Sequence, residues 1–183
     1  MPFTLRTARD EDISTLQELI RASVRTLQAA DYSFEQREGA LVSVFGVDRT
    51  LIHDGTYFVI EQGDEIVACG GWSRRKTLYG SDRMPGRDDD CLNPQIDAAK
   101  IRAFFVHPDW SRRGLGKMLL QACEAAAMSA GFTRFELGAT LTGIPLYRAY
   151  GFVEAERREV PLPNGASLPI VRMTKEAPLV PPR

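Results

Sequence analysis

Residues 106–117, VHPDWSRRGLGK, concentrate groups that can bind an anion. The glycines and basic side chains of this stretch are Arg112, Arg113, Gly114, Gly116 and Lys117. The glycines fall between an apolar run and a run with helical periodicity, where a helix is expected to begin. The first turn of a helix has free backbone N–H groups and a partial positive charge, and glycine lets an anion approach them closely. The pattern favours a diphosphate as the ligand, and a solvated basic turn is the alternative.

Two common phosphate-binding loops do not match these residues. A P-loop needs a glycine at position 111 and a serine or threonine after Lys117, but the chain has Ser111 and Met118 there. A dinucleotide fingerprint needs glycine where Leu119 stands, and it normally follows the first strand of a βαβ unit. Both loops are therefore excluded.

The composition predicts an ordinary globular protein. A chain of 183 residues with 44% hydrophobic and 26% charged residues suits one domain. The formal net charge of −1 gives no general attraction to nucleic acid or to a membrane surface, so we expect neither as a partner. The N-terminal residues do not resemble a signal peptide, and no segment approaches the roughly 18 apolar residues of a membrane span. These features favour the cytoplasm.

The cysteines and histidines do not indicate a metal site. Cys69, Cys91 and Cys123 are odd in number and lack C-x-x-C spacing, which argues against a disulfide framework and a structural zinc. His53 and His107 have no partner at the spacing of metal ligands. We therefore expect no metal, and cysteines that serve as packing residues.

Hydrophobic periodicity and turn signals divide the rest of the chain into short elements. They predict a strand at 3–8, a helix from Asp10 to Leu27, a short helix at 34–45, a hairpin of strands 56–62 and 65–73, a loop at 76–99, a strand at 101–107, a helix closed by Gly131, a strand at 133–139, a short helix at 143–151, and strands at 152–160 and 167–175. This order predicts an α/β fold with one mixed sheet, in a single domain at 1–176 followed by a proline-rich tail at 177–183.

Three segments in this order resemble the GNAT (Gcn5-related) superfamily of N-acetyltransferases. IRAFFVHPDW at 101–110 resembles its fourth strand, SRRGLGK at 111–117 its Q/R-x-x-G-x-G/A pyrophosphate loop, and LYRAYGF at 146–152 its L-Y-x-x-x-G-F segment. The resemblance implies a mostly antiparallel central sheet with one splayed parallel strand pair and helices on both faces.

Acetyl-CoA is the cosubstrate that this resemblance implies. Strands 100–107 and 133–139 then splay apart and admit the pantetheine arm like an extra strand. A backbone N–H near Phe105 or Val106 faces the thioester carbonyl and stabilises the oxyanion. The implied cosubstrate contacts are Phe104, Phe105, Val106, Arg112, Arg113, Gly114, Leu115, Gly116 and Lys117. The two phenylalanine side chains themselves are typical of core residues.

Tyr147 stands at the position of the tyrosine that acts as general acid in similar enzymes. A tyrosine of pKa about 10 can protonate a departing thiolate whose conjugate acid has a pKa of about 8.5. Tyr150 is the competing candidate, because residues three apart share a helix face, and packing is the alternative role for both. Thr140 and Gly143 stand where many members have asparagine and alanine.

The general base cannot be named in the same way. Deprotonating a lysine-like amine at pH 7 costs about 4.6 kcal/mol, so a base or a desolvating pocket must help. In members that acetylate histones a glutamate opens the fourth strand, but Lys100 occupies that position here. Asp97, Glu136 or a carboxylate in the loop at 76–99 can act through water, but such residues are more often ordinary surface acids.

Acceptor specificity in similar enzymes lies in the first helices and in loops, here about 26–50 and 76–99. The acidic run 88–90 and Glu35 can attract a cationic amine, or the run can be a solvated loop. The cations of 70–80 can equally line a pocket for an acidic acceptor or belong to a strand end.

We therefore expect an acetyl-CoA-dependent N-acetyltransferase that acts on a primary amine of a small molecule or peptide by direct attack. A non-catalytic acyl-CoA sensor is the first alternative, because Lys100 replaces the acid. An interaction protein that shares only the fold is the second. A homodimer is compatible with related folds.

Overall fold

The computed structural model describes residues 2–178. Its strands are β1 Phe3–Thr7, β2 Tyr57–Gln62, β3 Glu65–Ser73, β4 Ala99–Val106, β5 Arg134–Thr140, β6 Val153–Pro161 and β7 Ser167–Glu176. Its α-helices are α1 Ile13–Leu27, α2 Phe34–Ser43, α3 Arg49–His53, α4 Leu115–Ser129 and α5 Ile144–Ala149. Short 3₁₀ turns lie at Asp10–Asp12 and Pro108–Trp110. Most of the predicted tail, residues 179–183, lies outside the described residues.

The strands form one sheet in the order β1-β2-β3-β4-β5-β7-β6. Neighbours are antiparallel except β4 and β5, which are parallel. The expected mixed α/β fold, with its mostly antiparallel sheet and one parallel pair, is confirmed.

The helices cover both faces of the sheet because side chains alternate along each strand. Val59 and Cys69 face the cluster built with α1, α2 and α3, whereas their neighbours Ile60 and Ala68 face the first turns of α4. α4 buries Leu119, Cys123 and Ala127 at four-residue spacing, as an amphipathic helix should. The sheet is thus covered on each side by a helix layer.

Two local details differ from the predicted elements. The side chain of Asp12, not Asp10, accepts the Arg9 N–H at 2.8 Å ahead of α1. The helix α3 was not predicted, because five residues are too few to show a period. Among the described residues, no helix has the length and apolarity needed to cross a membrane.

Two of the three cysteines are packing residues, as expected, and the expectation is wrong for Cys91, which lies on the surface. Cys69 and Cys123 are fully buried and Cys91 is exposed, and all three are free thiols. Burial raises the pKa of Cys69 to about 12 and raises the pKa of Cys123 as well. The two buried thiols are therefore protonated at neutral pH and are poor nucleophiles.

Candidate active site

A groove of about 690 Å³ runs between the N-terminus of α4 and helix α5. The predicted cosubstrate residues that line it are Val106, Arg112, Gly114, Leu115, Gly116 and Lys117. Arg113 is not among them, because its guanidinium packs over the Trp110 ring at 4.7 Å from the centroid. The side chain of Lys117 lies near helix α5, with its Nζ 5.8 Å from the centre of the Tyr150 ring.

The N-terminus of α4 is open toward a ligand. Gly114 precedes the helix with φ +82°, and no side chain caps this end. The first intrahelical bond runs from Met118 N–H to Gly114 O at 3.1 Å, so the N–H groups of 115–117 have no acceptor within the helix. Arg112 also has a left-handed backbone, with φ +62°. This turn presents main-chain donors in the way that phosphate-binding turns do.

Gly116 sets the width of the groove. A Cβ at this position would lie 2.8 Å from Cδ2 of Leu146 on α5. The missing side chain therefore lets α4 and α5 approach each other across the groove.

A β-bulge in β4 shapes the centre of the site. Cys69 pairs with Phe105 and Gly71 with Arg102, so Gly70 faces both Ala103 and Phe104. Ala103 has the left-handed φ of +56°, and its carbonyl accepts the buried Tyr57 hydroxyl at 3.0 Å. The extra residue reverses the alternation along the strand.

This reversal separates two side chains that would otherwise share a face. Ile101 faces the α4 side of the sheet, but Phe105 faces the α1 side. Phe104 turns toward the α4 side, where a Cβ on Gly70 would overlap its ring. Sequence periodicity could not reveal the bulge, because alanine carries none of the signal that glycine would give at a left-handed position.

After Lys100, ahead of the bulge, β4 and β5 separate. In the described chain their ladder consists of Ala99 with Phe135 and Lys100 with Glu136. His107 N–H donates to Val67 O on the β3 side at 2.8 Å, so the alternating Val106 N–H is directed toward β5. The gap leaves room for an extended chain to lie beside β4.

A second, inner cavity of about 70 Å³ lies in this gap. It is lined by Phe104 and Phe105 from β4, Gly138 and Thr140 from β5, and Tyr147 from α5. The ring of Tyr147 packs 6.1 Å from Phe104 and 5.9 Å from Phe152, centre to centre. The predicted acid and the predicted thioester strand therefore meet in one pocket.

The two candidate tyrosines face different cavities. Tyr147 is buried and lines the inner cavity, whereas Tyr150 is partly exposed and lines the outer groove. Burial raises the pKa of Tyr147 well above the usual value of a tyrosine. The phenol therefore keeps its proton at neutral pH and can donate a hydrogen bond to a thiolate, and the same burial makes it a weaker acid than an exposed tyrosine.

The unusual residues before α5 support this position of Tyr147. Gly143 N–H donates to the Thr140 hydroxyl and carbonyl, each at 3.0 Å, which fixes the turn that starts the helix. A Cβ on Gly143 would lie 3.0 Å from Cε2 of Tyr147. Glycine at 143 therefore leaves space for the tyrosine ring.

Lys100 is buried and paired with Glu136, its register partner on β5. The second oxygen of Glu136 accepts from Arg172 at 3.0 Å, so two cations neutralise this carboxylate. Asp97 accepts the Asn93 N–H at 2.7 Å. Neither carboxylate lines a cavity of the site, so the structure does not bring either one to the position of a base.

The charges that the sequence offered for acceptor binding are mostly engaged with one another. Lys76 pairs with Asp88 and Asp90, and Arg87 pairs with Asp89. In the strand-end segment, Arg75 forms a bidentate pair with Asp54, and Arg74 lies 5.6 Å from the centre of the Trp72 ring. These groups stabilise the loop and the strand end.

Arg102 and Asp48 were missed at the sequence level and organise this region. Arg102 is buried on β4 and donates to Asp48 at 2.8 Å and to the carbonyls of Thr77 and Gly80 at 2.9 and 2.6 Å. Asp48 is fully buried and also accepts from Arg87. A charged residue two positions after Lys100 was the available signal, since both then point to the same face of the strand.

Solved structures with this fold include acetyltransferases from bacteria and archaea. A GCN5-related N-acetyltransferase from Rhodopseudomonas palustris is 23% identical, with a TM-score of 0.71 over 96% of each chain. PaiA N-acetyltransferase from Thermoplasma acidophilum, solved with coenzyme A, is 15% identical, with a TM-score of 0.64 over 96% of this chain and 99% of its own. YncA from Salmonella typhimurium, solved with acetyl-CoA as its cofactor, is 16% identical, with a TM-score of 0.64 over 100% of this chain and 98% of its own. At these identities the likeness shows the fold alone.

The sequence itself carries the family assignment. A comparison with curated proteins found no match. Residues 53–154, more than half of the chain, match the family model described as an acetyltransferase (GNAT) domain. These residues include the splayed strands, the α4 turn and Tyr147. The chain belongs to the GNAT family of acetyltransferases.

Proposed function

We propose that this protein transfers the acetyl group of acetyl-CoA to a primary amine by direct attack in a ternary complex. The observation that carries the proposal is the meeting of two cavities at β4. An open helix N-terminus lies in the outer groove, and a buried tyrosine lines the inner cavity. Fold neighbours solved with coenzyme A and with acetyl-CoA support the same ligand.

In this proposal the turn before α4 holds the pyrophosphate. The N–H groups of 115–117 bind phosphate oxygens, and Arg112 and Lys117 add charge at the sides of the groove. Arg113, stacked on Trp110, contributes at longer range. The pantetheine arm enters the gap between β4 and β5 as an extended chain.

The inner cavity supplies the groups for acyl transfer. The amine nitrogen attacks the thioester carbon, and the Val106 N–H stabilises the developing oxyanion. When the C–S bond breaks, the electron pair stays on sulfur and the hydroxyl of Tyr147 protonates it. The proton lost by the nitrogen passes through water and restores the tyrosine, so the products are the amide and free CoA.

The amine must reach the thioester in its neutral form. Arg102 is the charged side chain that lines the inner cavity, and the lining contains no carboxylate among the described residues. Because Arg102 is already paired with Asp48, its charge is compensated, and it is the apolar enclosure that disfavours the ammonium form and lowers the pKa of the amine. The pocket can therefore select the neutral amine without a dedicated base.

The first test is thermal unfolding with and without acetyl-CoA. A ligand at about 100 times its Kd stabilises by about 2.7 kcal/mol. For a domain of this size that corresponds to a rise in Tm of roughly 5 to 11 °C. We expect the shift with acetyl-CoA and with CoA but not with ATP or NAD. No shift at saturating acetyl-CoA would exclude the proposal.

A non-catalytic acyl-CoA sensor is the second candidate, and the Lys100–Glu136 pair favours it because the usual acid position is a neutralised cation. A screen of primary amines for CoA release separates the two. Tight acetyl-CoA binding without CoA release from any amine would support the sensor.

A further inference from the structure

A third cavity, of about 370 Å³, lies beside the inner one and has a strongly basic lining. It is enclosed by α1, α2, the segment that joins α2 to α3, and the turn at 81–83. Its charged residues are Arg21, Arg49, Asp82 and Arg83. A volume of this order suits a small molecule.

The arginines of this cavity are not all neutralised. Asp82 is directed to Arg49, whose N–H it accepts at 2.9 Å and whose Nε lies 3.9 Å away. The guanidinium groups of Arg21 and Arg83 form no hydrogen bond or ion pair with any residue in 2–178. Arg21 and Arg83 are exposed residues whose guanidinium groups have no protein partner in this part of the chain, and a planar anion such as a carboxylate matches the donors of a guanidinium.

The turn that carries Arg83 is fixed in place. The hydroxyl of Ser81 donates to Ser43 O at 2.6 Å, and Asp82 N–H donates to Val47 O at 3.2 Å. Arg83 N–H donates in turn to the Ser81 hydroxyl at 3.3 Å. The backbone of the cavity is thus preorganised, so a ligand pays little to order it.

The basic cavity adjoins the inner cavity. Phe45 and Gly46 line both it and the inner cavity. Gly80 lines the inner cavity, and its neighbour Ser81 lines the basic one. The two cavities therefore share a wall, and the inner one is also lined by Tyr147.

We propose that the acceptor is a small primary amine that carries an anionic group, which Arg21 and Arg83 bind while the amine enters the inner cavity. The inference rests on the proposed acetyltransferase function and specifies its substrate class. A polyamine would bring a second cation to two arginines that have no partner. A lysine side chain would bring them no negative charge. The acidic run 88–90 does not offset this, because it is already paired with Lys76 and Arg87.

The test compares amines that are matched in length and differ in the group at the far end. Each chain length from two to six carbons is assayed as the ω-amino carboxylate, the aminoalkyl phosphonate, the plain alkylamine and the diamine, with CoA release as the readout. We expect kcat/KM to be at least about tenfold higher for the anionic amines than for the alkylamines. The preference should weaken as salt is added, because salt screens exposed charges.

Substitution then tests the two arginines. Arg21→Gln and Arg83→Gln should each raise KM for the anionic amine about tenfold, with kcat and the KM of acetyl-CoA retained. The matched control is Arg157→Gln on β6, an arginine whose side chain is 77% exposed and lies outside all three cavities. It should keep the wild-type ratio of kcat/KM between anionic and plain amines.

The outcomes of these assays distinguish a wrong acceptor class from a wrong proposal of acetyltransferase activity. Turnover of plain amines or diamines with equal or higher kcat/KM than the anionic set would overturn the acceptor class and leave the acetyltransferase intact. The same holds if both arginine variants keep the wild-type ratio. Absence of CoA release with every amine, despite acetyl-CoA binding, would overturn the acetyltransferase proposal and the inference with it.

Discussion

Tyr147 owes its proposed role to where its ring lies. The ring packs against Phe104 and Phe152, and the missing side chain of Gly143 leaves space for it. Its hydroxyl group remains protonated because burial disfavours the phenolate. Tyr150, one helical turn later, instead contacts Lys117 in the outer groove. In the proposed mechanism, Tyr147 is therefore placed with the reacting atoms and Tyr150 beside the pyrophosphate.

Removing the hydroxyl of Tyr147 should slow the chemical step. We expect Tyr147→Phe to lower kcat about 100-fold, because the thiolate must leave without a positioned proton donor. KM for acetyl-CoA and the Tm should change little, since the ring is retained. Stopped assays of CoA release measure this, and Tyr150→Phe is the matched control. A larger loss of kcat in Tyr150→Phe would transfer the role to that residue.

The pH dependence follows from the same burial. Because the pKa of Tyr147 is raised, the folded protein keeps this proton at pH values where a free tyrosine loses it. We therefore expect kcat/KM to rise with pH as the free amine, of pKa about 10, deprotonates, with no descending limb below about pH 10. Tyr147→Phe should keep the rise at a lower level. A descending limb near pH 8 in the wild type would argue against a buried phenol as the acid.

At the scale of elements, the bulge in β4 decides which groups reach the gap. The hydroxyl of Tyr57 holds the carbonyl of Ala103, and the resulting reversal puts Phe104 and Val106 on the side of α4. A regular strand would present the other set of side chains there.

Tyr57→Phe should disturb this geometry. It leaves the buried Ala103 carbonyl without its donor, at a cost of about 1 to 3 kcal/mol. We expect kcat to fall while acetyl-CoA still binds, because the groove at α4 is untouched. Thr56→Val is the control, since it removes a buried hydroxyl bond to Leu51 O outside the bulge. It should lower the Tm with kcat retained, and an equal fall of kcat in both variants would assign Tyr57 a general structural role.

The elements themselves were largely readable from the sequence, and their deviations were not. β-branched and aromatic residues on both sides of a short polar turn predicted β2 and β3, and the apolar residues along one side of α4 predicted that helix because burial on one face imposes a period. The bulge contains Ala103 in a left-handed conformation that is typical of glycine. β4 and β5 separate because, in the described chain, their residues after Lys100 and Glu136 form no ladder pairs. Neither has a local signal in the chain.

At the scale of the molecule, the buried ion pairs around Asp48 join residues that are far apart in the sequence. Asp48, at the start of α3, pairs with Arg102 on β4 and with Arg87 in the long loop. Partners 54 positions apart cannot be predicted from spacing, because only the tertiary fold brings them together. The same reason hid the basic cavity, whose arginines come from α1, α3 and the turn at 81–83.

Asp48→Asn should therefore be costly. It leaves buried Arg102 and largely buried Arg87 without their carboxylate, and breaking a buried pair costs about 3 to 5 kcal/mol. Urea unfolding measures the loss. Glu11→Gln, which removes an exposed pair with Arg9, should cost no more than about 0.5 kcal/mol. Equal losses in the two variants would show that the buried network does not stabilise the fold.

The separation of β4 from β5 also divides the sheet into two groups of strands, which we expect to open independently. β1 to β4 are joined by continuous ladders, as are β5, β7 and β6, but the two groups share only the pairs at Ala99 and Lys100 within the described chain. Amide hydrogens along the inner edges should exchange with solvent by local opening, well before global unfolding. A ligand that pairs with β4 would link the two groups, so protection from exchange would increase on both sides of the gap at once.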